Sequence, residues 1–236
     1  MTEQETQPSI LELQARWDKI RIANLYDTLD QMGYPNQCLD LGIRLLFPRQ
    51  HLAGVAVTAR GGRDSRTRED YEKAGPGVNY YQALNDSLFP GAVVVVECGG
   101  EPYTGKFGEM TSWGLQQHGA RGIVLDSMIR DWQGLEVIPN YTVCARGTSP
   151  IESAKRWSIN AVNIPIAMPG TLTSQIRVCP GDWVVAEADG IIVVPQAIAM
   201  EALIKAEEIE HREQGMREDL AAGLTFKQAF EKWGRA

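Results

Sequence analysis

Apolar positions recur at helical spacing from residue 10 to residue 32: Ile10, Leu11, Leu13, Trp17, Ile20, Ile22, Leu25, Leu29 and Met32, followed by Gly33, a residue suited to a left-handed C-terminal turn. The spacing predicts one amphipathic opening helix. The period then changes. LAGVAVTARG at 52–61 is β-branched and bounded by glycine, which predicts a strand. GVNYYQALNDSLFPG at 77–91 reads as a helix closed by Pro90 and Gly91, and AVVVVEC at 92–98 as a buried strand. A glycine-rich loop, CGGEPYTGKFG, leads into a helix predicted from about Glu109 to Gln117, which stops at His118 and Gly119 before strand ARGIVLD. Strand, loop, helix, strand is the order of a βαβ unit, whose parallel sheet places ligand-binding loops at the carboxyl ends of its strands. Shorter strands are predicted at 141–147, 164–167 and 174–178, then a hairpin, VVAEADGIIVV, turning around Asp189 and Gly190. From Gln196 to Ala222 helix propensity and charge are high, which predicts one long helix stopped by Gly223. The whole chain, 1–236, therefore reads as a single α/β domain with helical extensions at about 8–33 and 196–236.

Composition narrows the function classes. Hydrophobic residues at 44% and charged residues at 22% are those of a folded chain, and no stretch reaches eighteen uninterrupted apolar residues, so no membrane role is expected. The opening MTEQETQPSILELQARW has acids and no cationic region ahead of an apolar core, so a cytoplasmic location is expected rather than secretion. Cys38, Cys98, Cys144 and Cys179 form no CxxC pair and are expected as reduced packing residues. A net charge of -7 opposes phosphate contacts, so no nucleic-acid partner is expected. The most basic run, ARGGRDSRTRED at 59–70, intersperses its arginines with Asp64, Glu69 and Asp70 and reads as a solvated loop.

Familiar catalytic signatures are missing: there is no GxGxxG after a strand, no GxxxxGK[ST], no GxSxG and no HExxH, and the only histidines are His51, His118 and His211. Oxygen ligands and arginine remain. Strand ARGIVLD runs out into Asp126, Arg130 and Asp131. Past a strand exit, Asp131 can hold Mg²⁺ or Mn²⁺, hard cations that need few protein carboxylates. Arg130 offers a planar fork to the carboxylate of a small organic acid. Taken alone, such a dipeptide is an ordinary surface ion pair. At the head of the preceding helix, however, the amides of Glu109, Met110 and Thr111 form an anion site that Gly108 leaves open to close approach. A 2-oxo acid matches the two features together.

Glu109, twenty intervening residues, Arg130 and Asp131, extended by Gly134 to RDxxG, is the hallmark spacing of the RraA-like proteins, which this chain resembles. That family includes class II, metal-dependent 4-hydroxy-4-methyl-2-oxoglutarate / 4-carboxy-4-hydroxy-2-oxoadipate aldolases and the regulator of RNase E activity. LYDTLDQMG, LAGVAVTARG, PGAVVVVE, CARGTSP, PGDWVVAEADGIIVVP and the charged closing helix carry the resemblance across nearly the whole chain. It implies a swivelling β/β/α three-layer domain, assembled as a homotrimer or homohexamer with the active site at a subunit interface. Gly108, Glu109, Met110 and Thr111 then match the substrate loop, Arg130 the substrate arginine and Asp131 the metal ligand. Glu210 and Glu213 are the candidates for a glutamate given by a neighbouring subunit. Two positions depart from the aldolase pattern: Glu109 stands where Asp is usual, and Asp126-Ser127 stands where DG is usual. One extra methylene at Glu109 is worth about 1–3 kcal/mol in substrate choice.

The implied function is a Mg²⁺-dependent pyruvate aldolase acting on a 4-hydroxy-2-oxo acid, with oxaloacetate decarboxylation as a side activity, since both routes pass through pyruvate enolate. No lysine stands out as a Schiff-base former. The alternatives are a non-enzymatic regulator that binds a ribonuclease, and another lyase or hydratase acting on a 2-oxo acid.

Overall fold

The structure, a computed structural model, describes residues 8–48, 50–74 and 77–234. Helices α1 (Ile10–Trp17) and α2 (Ile22–Gln31) precede strands β1 (Arg44–Leu45) and β2 (Leu52–Arg63). Helices α3 (Arg68–Ala74) and α4 (Tyr80–Asp86) lead to β3 (Ala92–Glu97), α5 (Glu109–Gln117), β4 (Ala120–Leu125), β5 (Met128–Ile129) and α6 (Trp132–Glu136). Strands β6 (Thr142–Ala145), β7 (Gly147–Thr148), β8 (Trp157–Val162), β9 (Ile166–Met168), β10 (Ile176–Val178), β11 (Trp183–Glu187) and β12 (Gly190–Val194) follow, then α7 (Ala199–Ala221) and α8 (Phe226–Trp233).

The main sheet runs β1-β6-β4-β3-β2-β11-β12, with β8 joined to the far half of β2. Its centre, β2-β3-β4-β6, is parallel, with Val57 opposite Val94 and Val94 opposite Ile123. A bridge from Cys38 to Ile192 brings the segment before β1 back to β12, so the sheet is nearly closed. Successive side chains of a strand point to opposite faces. Val93 and Val95 accordingly pack inside against Val124, Met168 and Val193, whereas Val94 and Val96 pack outside against Ile123, Leu115 and Phe107. Both faces are buried, which is why AVVVVE is an unbroken apolar run rather than an alternating one. The terminal helices form a third cluster, in which Trp17, Leu25 and Leu203 cover Trp183 and Val194.

The βαβ unit lies where the pattern places it, with α5 spanning Glu109–Gln117 and β3 parallel to β4. The long closing helix also holds: α7 ends at Ala221, and Gly223 has a left-handed φ of 99°. Other expectations need correction. The opening helix is two helices, broken at residues 18–21. Asp18 there accepts from Arg121 at 2.7 Å, and the Ile22 amide donates to Glu187 at 2.9 Å, so the break ties the pair to the sheet while Trp17, Ile20 and Ile22 stay buried. The helix at 77–91 is shorter, Tyr80–Asp86, because Asn79 caps it. The basic run is a solvated loop only at residues 65–67: Ala59 to Arg63 belong to β2, Arg68 opens α3, and buried Asp64 accepts from Arg66 at 2.6 Å and Ser158 at 2.9 Å. Glu187 pairs with Gly190, so the hairpin turns at Ala188 and Asp189, one residue early. Strand β8 has no counterpart in the pattern reading, and the closing extension at about 196–236 holds a second helix, α8, beyond Gly223. Residues 1–7, the start of the stretch read for a secretory signal, and residues 235–236 of the closing extension lie outside the described residues. Among the described residues no helix is long and apolar enough to cross a membrane.

Candidate active site

The N-cap of helix α5 is Gly108, which has no side chain of its own to accept from the first amides. The Thr111 hydroxyl instead reaches back, accepting from the Gly108 amide and donating to its carbonyl, both at 2.9 Å. The Glu109 amide donates to Asp131 Oδ2 at 3.1 Å. Among the described residues the Met110 and Thr111 amides have no protein acceptor, and a helix N-terminus in that state favours an anion.

The three charges past β4 have different roles. Asp126 Oδ1 accepts the Cys98 amide at 2.7 Å and so ties the ends of β3 and β4 together. Arg130 and Asp131 lie beyond it. The Arg130 amide donates to Phe107 O at 2.9 Å, its Nε lies 3.4 Å from Asp131 Oδ1, and Nη1 lies 4.0 Å from Glu152. Asp131 sits at φ 63°, ψ 45°, a left-handed conformation that aspartate tolerates better than most residues, and this aims its carboxylate back at α5. Glycines let the two parts dock. A Cβ on Gly105 would stand 2.7 Å from the Arg130 Cβ, and one on Gly108 would overlap the Asp131 carboxylate.

Together these groups form one wall of a cleft of about 650 Å³: Gly105, Gly108, Met110, Thr111, Arg130 and Asp131. The facing wall is Tyr81, the segment Glu152–Lys155 and Trp157. Five of the residues expected from the sequence are thus brought together. Glu109 is only half with them: its amide binds Asp131, but its carboxylate lies against α6, where a Cβ on Gly134 would overlap it. Glu210 and Glu213 do not line this cleft. Within the chain both accept from Asn24, at 2.8 and 3.0 Å, and from Arg217, at 2.5 and 2.9 Å.

Sequence reasoning missed the facing wall and Lys106. Lys155 and Asn163, with left-handed φ of 65° and 56°, flank β8 in a stretch with no strong period. Lys106 is buried beneath the first wall, paired with Glu101 and donating to Thr104 O at 2.8 Å and Ser127 Oγ at 2.9 Å. Its signal was present: a lysine in GKFG, between two glycines that must pack closely. Burial opposes ionisation of Glu101, but the Lys106 ammonium, the Thr104 hydroxyl and the Thr104 and Tyr103 amides outweigh it and hold the carboxyl at about 2. Burial pushes the thiols of Cys98 and Cys144 up, consistent with packing roles.

Among the described residues no three His, Cys, Asp or Glu side chains converge as a metal cage. Two carboxylates line the cleft, Asp131 on the first wall and Glu152 on the facing one, and Asp131 is the one beside the α5 amides. Its carboxylate is 41% exposed, and each oxygen is engaged by a single N–H, which leaves lone pairs directed outward. A donor set of one or two carboxylates suits Mg²⁺, which keeps several waters, and does not suit a closed zinc site.

A family model described as RraA-like: Aldolase/RraA matches residues 22–193, a span containing both walls of the cleft. The chain belongs to the RraA-like family. Among its relatives, a protein of Paraburkholderia phytofirmans is 31% identical over 182 residues, 73% of this chain and 98% of its own length; one of Halalkalibacterium halodurans is 29% identical over 167 residues, 65% and 76%. Both carry the name "Putative 4-hydroxy-4-methyl-2-oxoglutarate aldolase". The crystal structure of Streptomyces coelicolor RraAS2, described as an unusual member of the RNase ES inhibitor RraA family, superposes with a TM-score of 0.72 at 27% identity, covering 90% of this chain and 98% of that one. The swivelling α/β architecture is therefore the RraA-like fold.

Proposed function

We propose that this RraA-like protein is a Mg²⁺-dependent lyase that cleaves a 4-hydroxy-2-oxo acid of the 4-hydroxy-4-methyl-2-oxoglutarate type to pyruvate and a second oxo acid. The observation that carries this reading is the common aim of Arg130, Asp131 and the unpartnered α5 amides into one cleft. The Arg130 fork would take the substrate carboxylate, and the Met110 and Thr111 amides would receive an oxygen on which charge develops. Asp131 would hold Mg²⁺ (or Mn²⁺), which when bound supplies Lewis-acid polarisation of the 2-oxo group. In the retro-aldol direction the C3–C4 bond breaks, its electron pair moves to C3 to give pyruvate enolate, and the C4 hydroxyl gives up its proton. Glu109, rotated off Gly134, would orient the water that accepts that proton. Loss of CO₂ from oxaloacetate yields the same enolate, so decarboxylation belongs to the reading. Lys106 is an unsuitable Schiff-base amine, since its buried ammonium is already held by Glu101, Thr104 and Ser127. The names of the relatives support an aldolase. The family resemblance supports a homotrimer or homohexamer in which a neighbour's Glu210 or Glu213 would complete the site.

The test is pyruvate release from a panel of 2-oxo acids, including 4-hydroxy-4-methyl-2-oxoglutarate and oxaloacetate. Chelation and dialysis should abolish release and Mg²⁺ should restore it. Activity that persists after chelation sinks the metal reading. No turnover of any 2-oxo acid, with tight binding to a ribonuclease, would favour a regulator instead.

A further inference from the structure

A fully buried lysine under a binding cleft calls for a physical account, because ammonium groups are almost never buried unless paired. Lys106 Nζ meets the Glu101 carboxylate, the Glu101 carbonyl at 2.9 Å, the Thr104 carbonyl at 2.8 Å and Ser127 Oγ at 2.9 Å, and it lies 5.8 Å from the centre of the Trp157 ring. Ser127 Oγ in turn donates to the Glu101 carbonyl at 2.5 Å. These contacts gather two segments, the loop 101–104 and the chain just before β5, onto one point. The backbone on either side of Lys106 is the floor of the cleft. Gly105 N donates to Ile151 O at 2.9 Å, Lys106 N to Met128 O at 3.0 Å, and Arg130 N to Phe107 O at 2.9 Å. Gly105 and Gly108 then face Arg130 and Asp131 without a side chain between them. A shift in the height of this turn therefore passes directly to the groups that line the cleft.

We propose that Lys106 is a positioning residue, which uses Glu101 and Ser127 to set the height of the 105–109 turn and so registers the α5 amides against Arg130 and Asp131. Ser127 gives this chain a hydroxyl at the position where the aldolase pattern has glycine, and glycine could not serve as that ligand. The idea rests on the 2-oxo acid reading for the identity of the ligand, and on the turn's geometry alone for the positioning.

The experiment compares wild type, Ser127→Ala and Lys106→Met in the full chain. Oxalate, a planar stand-in for pyruvate enolate, is titrated calorimetrically with Mg²⁺ present, and hydrogen exchange is followed over residues 105–111. Ser127→Ala keeps the ion pair and should keep its melting temperature within a few degrees, while the oxalate Kd rises about three- to tenfold and exchange in the turn accelerates. Lys106→Met should lose more than tenfold if it folds. An unchanged Kd for folded Ser127→Ala overturns the proposal, whatever happens to stability, because the hydroxyl would then only hold the loop. If wild type binds no oxalate and turns over no 2-oxo acid, the functional reading falls, and exchange decides the positioning role: a turn no faster in Ser127→Ala overturns it.

Discussion

The two walls of the cleft are made by different means. The wall of α5, Arg130 and Asp131 is the carboxyl edge of a parallel βαβ unit, pinned by backbone hydrogen bonds, by glycines without clearance for a Cβ, and by the buried Lys106–Glu101 pair. The facing wall is the irregular segment Glu152–Lys155, with a lysine in a left-handed conformation, leading into β8 and anchored by its first residue, Trp157, whose indole donates to Cys98 O at 3.0 Å. Precision sits on one side and tolerance on the other. Chemistry that needs a fixed register belongs to the first wall, and the second closes the space that shapes what enters.

Substitutions should therefore divide sharply between the walls. The largest effect expected is from Asp131→Ala: metal-dependent pyruvate release falls by roughly a thousandfold, about 4 kcal/mol, while the chain stays folded by circular dichroism. Full activity in that variant would end the assignment of the wall. Arg130→Lys keeps the charge but loses the fork, and should lower kcat/KM by about a hundredfold, near 3 kcal/mol, without changing metal affinity measured by titration. A comparable loss on truncating exposed Glu152, across the cleft, would erase the distinction between the walls.

Acid should probe the same asymmetry. The carboxyl of Glu101 sits at about 2 in the folded chain, below its ordinary value near 4.5. Its ionised form is thus the one the fold prefers: the contribution is fully present above about pH 4.5 and drains away as the pH falls toward 2. Urea midpoints followed from pH 6 to pH 3 should decline, and Glu101→Gln should start lower and decline less. Parallel curves for the two proteins would show that the pair under the first wall carries no such linkage.

How much of this was legible in the sequence follows the same division. Glu109 and Gln117 are legible as helix bounds, and Arg130 and Asp131 as neighbours of that helix's head, because a 3.6-residue period, a glycine stop and a fixed spacing are local signals. The break at Asp18–Arg21 was not, since it depends on Arg121 and Glu187, more than a hundred residues away in sequence and adjacent only after folding. Strand β8 pairs with β2 across a bulge at Arg60 and Gly61, so alternation is blurred, and the wall leading into it stayed hidden. The Glu109 carboxylate was placed at the cleft by spacing alone, which fixes its backbone but not its rotamer; packing sends it to Gly134.

The smallest effect concerns the tolerant wall itself. Lys155 holds φ 65°, a region that disfavours a side chain bearing a Cβ. Glycine enters that region freely but widens the unfolded ensemble, so the two terms partly cancel. Lys155→Gly should leave the melting temperature level or raise it by about 1–2 °C, whereas Ala154→Gly, next to it and without a left-handed φ, should lower it by a similar amount. If both glycines destabilise equally, the left-handed turn is not strained, and the second wall is as firmly determined as the first.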